Sequence, residues 1–236
     1  MLAAAGLVVA MPAAAKPLGV VELFTSQGCN SCPAADAALG RFVRQGNIVV
    51  LAYHVDYWDY LGWKDTLGSR ANTERQYAYA KGFGSSQVYT PQAVVNGRSQ
   101  MNGGYVGELE AELSDLDRSG KGLVVDVSVR DAGSSYVVEV GAAPHEGKAA
   151  RVMLVSYAPE REVAIRRGEN SGRTIIYWHA VTGTRLAGTW DGHAARYEVP
   201  KAKMPSDGGL AVLLQSGEDG TAGPILGAAT LGATGS

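Results

Sequence analysis

Apolar positions in the first half of the chain alternate between two periods. "VVELF" (20–24) and "IVVLAYH" (48–54) are short, nearly continuous apolar runs that predict buried strands. Between them Ala35, Leu39 and Phe42 recur at the spacing of one helix face. "SRANTERQYAYAKGFG" (69–84) predicts a second helix, capped by Ser69 and ended by Gly82 or Gly84. Asn96-Gly97, between the apolar residues of "TPQAVVNGRSQMNG" (90–103), is a strong hairpin signal. Val106, Leu109, Leu113 and Leu116 line one face of a last helix within 105–120. The predicted order is β-α-β-α-β-β-α.

Beyond Gly120-Lys121-Gly122 the period changes to two. "LVVDVSVRD", "SYVVEVGAA", "RVMLVSYA", "VAIRRGE", "RTIIYWHAV", "ARYEVP" and "LAVLLQSG" follow one another with Gly and Asn between them, and no helical stripe of useful length. Some seven short strands predict a small β-sandwich over 122–236. The charged "RRGENSGR" (166–173) is read as a hairpin tip rather than an anion-binding or partner-docking loop.

Composition sharpens this outline. Hydrophobic residues make up 46% of 236 and charged residues 19%, enough for a real core. A formal charge of −2 leaves no basic footprint, which sets nucleic acid aside as a partner. Residues 1–15, small and apolar up to Ala13-Ala14-Ala15, read as an export leader, although no Lys or Arg precedes the apolar run. The mature chain is expected to begin near Lys16, to lack a membrane span, and to work in the periplasm or outside the cell, where disulfides persist.

The two cysteines, Cys29 and Cys32, sit between the first strand and the first helix. As a structural clip they would contribute little: closing four residues is worth roughly 2 kcal/mol in the chain-entropy model, against about 4.7 for a 100-residue loop. Two thiolates suit a soft ion such as Cu(I), but a closed zinc site wants four ligands and no second pair exists. As a redox pair they are well placed. Amides of a helix's first turn and its dipole favour the thiolate of the first cysteine, and the second can resolve a mixed disulfide. Asn30 and Ser31 are small enough to leave Cys29 open, and Pro33 suits the first helical turn. The strand-to-helix context favours the redox reading.

At this point the residues resemble the thioredoxin fold: strand, "GCNSCP", helix, strand, helix, then "TPQAVVNG", a hairpin and a last helix. More closely, "VVELFTSQGCNSCP", "HVDYWDYLGWKD", "YTPQAVVNG" and "IRRGENSGRTIIYWHAV" are similar to a family of exported bacterial proteins known only as a domain of unknown function, number twelve twenty-three. The resemblance implies an α/β thioredoxin-like domain over 16–121, followed by the small all-β domain. It implies a cis Pro91 facing the cysteines, with Thr90 offering its backbone to an extended client segment. Gly28 stands where thioredoxin has an aromatic residue, which opens the site. Glu22, a charged residue in an apolar strand, is the candidate for thioredoxin's buried proton acceptor, at an offset that differs from the family's. A strand-edge Glu reaching solvent is the competing reading.

Other candidates surround the pair. Tyr57 and Trp58 can wall a client cleft or pack as a plug, and His54 and Asp56 are candidates for tuning Cys29. Together these predict an exported thiol-disulfide oxidoreductase in which Cys29 attacks and Cys32 resolves. Its partners are protein thiol or disulfide clients and a redox recycling partner, and it needs no organic cofactor. The alternative is a Cu(I) carrier or a redox-inert adaptor reusing the fold.

Overall fold

The computed structural model describes residues 16–144, 149–204, 208–217 and 220–232. The leader expected at 1–15 lies outside them. Among the described residues the elements of the first half are β1 (Gly19–Thr25), α1 (Pro33–Gln45), β2 (Ile48–His54), α2 (Arg70–Gly82), β3 (Gln92–Val95), β4 (Ser99–Asn102) and α3 (Val106–Arg118). This is the predicted order. Ser69 caps α2 by accepting from the Asn72 amide. Asn96 and Gly97 turn the β3–β4 hairpin with φ of 49° and 62°, the left-handed pair that a tight hairpin demands.

The second half holds β5 (Val127–Asp131), β6 (Ser135–Val140), β7 (Ala150–Ala164), β8 (Thr174–Trp190), β9 (Ala195–Pro200), β10 (Gly209–Ser216) and β11 (Ile225–Leu231). Here the expected fold class fails. The strands do not close on themselves as a separate small sandwich after an α/β thioredoxin-like domain. One mixed eight-stranded sheet runs β11-β10-β7-β8-β2-β1-β3-β4 through both halves, and a three-stranded sheet β5-β6-β9 packs beside it. With eleven strands and three α-helices, the described chain is mostly β.

The reason is a join that periodicity cannot reveal. β8 lies parallel to β2 at Ala52↔Ala180, and β7 and β8 form one long antiparallel ribbon where shorter strands were predicted. Runs read as separate meet in one strand: "RVMLVSYA" and the Val163-Ala164 start of "VAIRRGE" both belong to β7, bent by register shifts near Val152 and Ser156, and the rest of the second run forms the hairpin tip.

Alternation then divides the interior. Val20, Phe24, Leu51 and Tyr53 face α2 and share a core with Val155, Leu213 and Ile225. Val21, Leu23, Val50 and Ala52 face the other way, against α1 (Leu39, Phe42) and α3 (Leu109, Leu113). Val152, Leu154, Val212 and Leu214 bury against Val138, Val140 and Val199 of the smaller sheet. Burying such side chains contributes roughly 1.5–3 kcal/mol each, so the join between halves is held by hydrophobic burial on the α2 face, where the first of these cores takes residues from both. No helix among the described residues is long and apolar enough to cross a membrane.

Candidate functional site

The cysteine loop leaves the carboxyl end of β1 and enters α1. Cys32 is the N-cap of α1 and Pro33 follows at its first position. The Cys32 carbonyl accepts from the Ala35 and Asp36 amides at 2.9 and 3.1 Å, and the Cys29 carbonyl from the Cys32 amide at 3.2 Å. Cys29 and Cys32 are joined in a disulfide with Cα atoms 5.4 Å apart. The Ser31 hydroxyl lies 3.3 Å from Cys29 Sγ. Asn30 and Ser31 are exposed, yet Cys29 and Cys32 are 1% and 0% exposed.

The aromatic insert is the buttress of this loop. Asp65 accepts the Gln27 amide at 2.8 Å, and the Gln27 side-chain oxygen accepts from Trp63 Nε1 at 2.9 Å and the Thr66 amide at 3.2 Å. Trp58 donates its indole N–H to Thr90 Oγ1 at 2.8 Å, tying the insert to the residue before Pro91. Gly28 rests against this indole's backbone: a Cβ there would stand 3.1 Å from Trp58 Cβ. Trp58 and Tyr57, both partly buried, pack against the α2-side core. Burial pushes the Tyr57 phenol up to about 12, with Gln76 and Thr90 partly opposing it.

Behind the disulfide is a buried polar cluster. Asp36 lies one helical turn after Cys32, on the same side of α1, and accepts from the Thr25 hydroxyl at 2.8 Å. Thr25 pairs with His54 across β1 and β2. His54 donates Nδ1–H to Asp65 at 2.8 Å, and both side chains are fully buried. The His54 ring meets Tyr177 of β8 edge-on at 4.8 Å. Burial alone would depress the His54 pKa, but contact with Asp65 and the nearby Asp36 raise it above its ordinary value. Burial likewise opposes ionisation of Asp65, and His54 with the amides of Gln27 and Leu67 outweighs it, so this carboxylate titrates below its usual range. Among the described residues no cation contacts Asp36. Burial lifts its carboxyl to about 7, with His54 and Thr25 offsetting only part. Among the described residues, Asp36 Oδ2, His54 Nε2 and the Tyr177 hydroxyl have no hydrogen-bond partner. A buried carboxyl lifted toward neutrality thus sits one turn after Cys32 on α1.

The structure gathers Gly28, Cys29, Asn30, Ser31, Cys32, Trp58 and Thr90 around one loop and brings His54 close through Thr25 and Asp65. The Thr90–Pro91 peptide is cis, and Pro91 precedes Gln92, which pairs with Phe24 near the end of β1. Glu22 does not join them. It shares the α2 face of β1 with Val20 and Phe24, where Arg75 Nη2 holds it at 2.6 Å and the Tyr79 hydroxyl donates to it. Asp56 accepts from the Thr73 hydroxyl at 2.6 Å and serves the α2 start. Among the described residues no three His, Cys, Asp or Glu side chains converge as a metal site.

Four contributors escape the sequence reading: Asp36, Asp65, Asn170 and Tyr177. Asp36 carried a signal, a lone carboxylate on the buried stripe of α1 four residues after Cys32. Asn170 carried none. From the β7–β8 connection it donates Nδ2 to the carbonyls of Gln27 and Cys29, each at 2.9 Å.

A crystal structure of a protein from Agrobacterium tumefaciens is 41% identical to this chain with a TM-score of 0.84, covering 93% of this chain and 96% of that one. HBP35 of Porphyromonas gingivalis shares the fold at 11% identity and a TM-score of 0.66, covering 94% of this chain and 77% of that one. No curated protein matches the chain. The family described as protein of unknown function DUF1223 matches residues 20–215, most of the chain, and the chain belongs to that family.

Proposed function

We propose that the protein is a thiol-disulfide oxidoreductase acting on protein clients through Cys29 and Cys32. The observation that carries the reading is a bonded Cys-x-x-Cys at the amino end of α1 with a buried carboxyl, Asp36, one turn after Cys32, which burial lifts to about 7. The element order of 19–118 and the cis Thr90–Pro91 beside β1 support a distant kinship of this segment with thioredoxin-like oxidoreductases, inside a different overall fold.

From the disulfide state a client thiolate attacks Cys29 Sγ. The Cys29–Cys32 bond breaks, and Cys32 leaves as a thiolate that takes the proton of the Asp36 carboxyl. A second client thiolate then attacks the client sulfur of the mixed disulfide and releases Cys29. Two electrons have passed to the pair, the client holds a new disulfide, and an oxidising disulfide partner restores the enzyme. Run backwards, the Asp36 carboxylate accepts the Cys32 proton while Cys32 displaces a reduced client from Cys29. Ser31 stands ready to donate to the Cys29 sulfur as charge develops there. In this reading Asp36 takes the role considered for Glu22, and His54 acts on Asp36 through its charge. An oxidising, exported setting suits the pair.

The burial of both cysteines favours one competing reading, a redox-inert adaptor. Trapping separates them. Cys32→Ser, which cannot resolve, should accumulate mixed disulfides with clients in cells, and Cys29→Ser should accumulate none. Equal absence of adducts from both variants overturns the oxidoreductase reading.

A further inference from the structure

A client must touch Cys29 Sγ, and the closed structure leaves Cys29 1% exposed. The segment hydrogen-bonded to the loop is the tip of the β7–β8 hairpin, residues 165–173. Its inner order is its own. Ile165 N donates to Arg173 O, Gly172 N to Ile165 O, Ser171 N to Gly168 O and Arg173 N to Asn170 O, at 2.9 to 3.1 Å. The tip is therefore a small unit that can shift without losing its own hydrogen bonds.

Its grip on the cysteine loop is polar. Asn170 is a hairpin-tip asparagine only 1% exposed, and a buried amide must find partners. Nδ2 donates to the Gln27 and Cys29 carbonyls at 2.9 Å each, and Oδ1 accepts from Arg173 Nη1 at 3.1 Å. Glu169 adds a bond from the Asn30 amide at 3.3 Å, and Gly168 lies against Trp63. Outside the tip, the loop is held by the Asp65 and Gln27 buttress described above. A neutral hydrogen bond is worth little net, so a latch of this kind holds firmly enough to cover yet yields to a competing ligand.

We infer that residues 165–173 are a gate over the Cys29–Cys32 disulfide and that Asn170 is the positioning residue that latches it shut. The inference rests on the oxidoreductase reading for its purpose, and its substrate consequence is selective: extended, mobile cysteine segments can slip under the tip, whereas a disulfide set in a rigid surface cannot reach Cys29 until the tip lifts.

The test reads the disulfide itself. Tris(2-carboxyethyl)phosphine attacks a sulfur of the pair; the S–S bond breaks, water converts the phosphonium to phosphine oxide, and two thiols are released for titration. With Asn170→Ala the reduction rate should rise about tenfold, the effect of losing two neutral hydrogen bonds from a closed state. A reduced thioredoxin-type protein, which is bulkier, should gain more than the phosphine does. Arg173→Ala, at an exposed position, should raise the rate in the same direction by a smaller factor of roughly two to five. Should Asn170→Ala fail to fold by circular dichroism, Arg173→Ala combined with Glu169→Ala decides. Rates within twofold of wild type in folded variants overturn the gate. Faster reduction in Asn170→Ala without trapped clients in Cys32→Ser leaves the gate standing and removes the oxidoreductase reading; the reverse pattern removes only the gate.

Discussion

Replacing Asp36 by asparagine should change the pH dependence of stability more than stability itself. Asp36 is 2% exposed, touches no cation among the described residues, and has its pKa lifted from 3.8 to about 7. Because the folded value exceeds the unfolded one, its contribution is fully present below about 3.8 and is lost as pH rises through about 7. A rise of roughly three units at 1.36 kcal/mol each makes the wild type lose up to about 4 kcal/mol across that interval from this group alone. Asparagine removes the titration. Its oxygen can still accept from Thr25, but its NH2 takes the place of Oδ2, which has no partner among the described residues. That orphan costs about 1–3 kcal/mol at every pH. Asp36→Asn should therefore be less stable than wild type by about 1–3 kcal/mol near pH 4 and more stable by about 1–3 kcal/mol near pH 8. Guanidinium denaturation of the oxidised protein at both ends of the range measures this, and each 1 kcal/mol moves Tm by about 2–4 °C at this chain length. A stability difference of the same sign and size at both pH values refutes the assignment of a buried neutral carboxyl.

Three further substitutions probe the surroundings. Asp65→Ala strips the counter-ion from buried His54 and orphans the Gln27 and Leu67 amides, which should cost about 3–5 kcal/mol. His54 is raised, so its share is lost as pH rises through its folded pKa, and Asp65 is lowered, so its share is lost as pH falls through its own; the deficit in denaturation curves should peak between about pH 4 and 6.5. Arg75→Met leaves the Glu22 carboxylate buried without its cation and should cost about 3–5 kcal/mol, part of which returns in the Glu22→Gln/Arg75→Met double variant. Gly28→Ala places a Cβ 3.1 Å from Trp58 Cβ and 3.4 Å from its carbonyl oxygen, so it should shift tryptophan fluorescence and cost about 1–3 kcal/mol.

How much of this was legible differs by range of interaction. The helix stripes of α1 and α3, the Ser69 cap and the Asn96-Gly97 turn are contacts within a few residues, and each element formed where its pattern placed it. Glu22 illustrates the limit. Its charge in an apolar strand was visible, but which face of β1 it occupies and that Arg75 lies opposite depend on how α2 packs. The hairpin tip at 166–173 was recognised as a tip, and its position on the cysteine loop depends on a ribbon whose strand β8 pairs with β2 at Ala180.

Local chemistry along the chain decided that two sulfurs would meet at a strand-to-helix turn, since Pro33 starts the helix that brings Cys32 one turn from Cys29. Tertiary structure alone decided the rest: one eight-stranded sheet running through both halves, Asp36 and His54 buried beneath the cysteine loop, and Asn170 bonded to that loop from 141 residues away. Periodicity records which face of an element is apolar. It does not record which distant element will cover that face, because strand partners are chosen by summed burial over the whole chain, and that burial is what sets the access to the two cysteines and the protonation of the carboxyl near them.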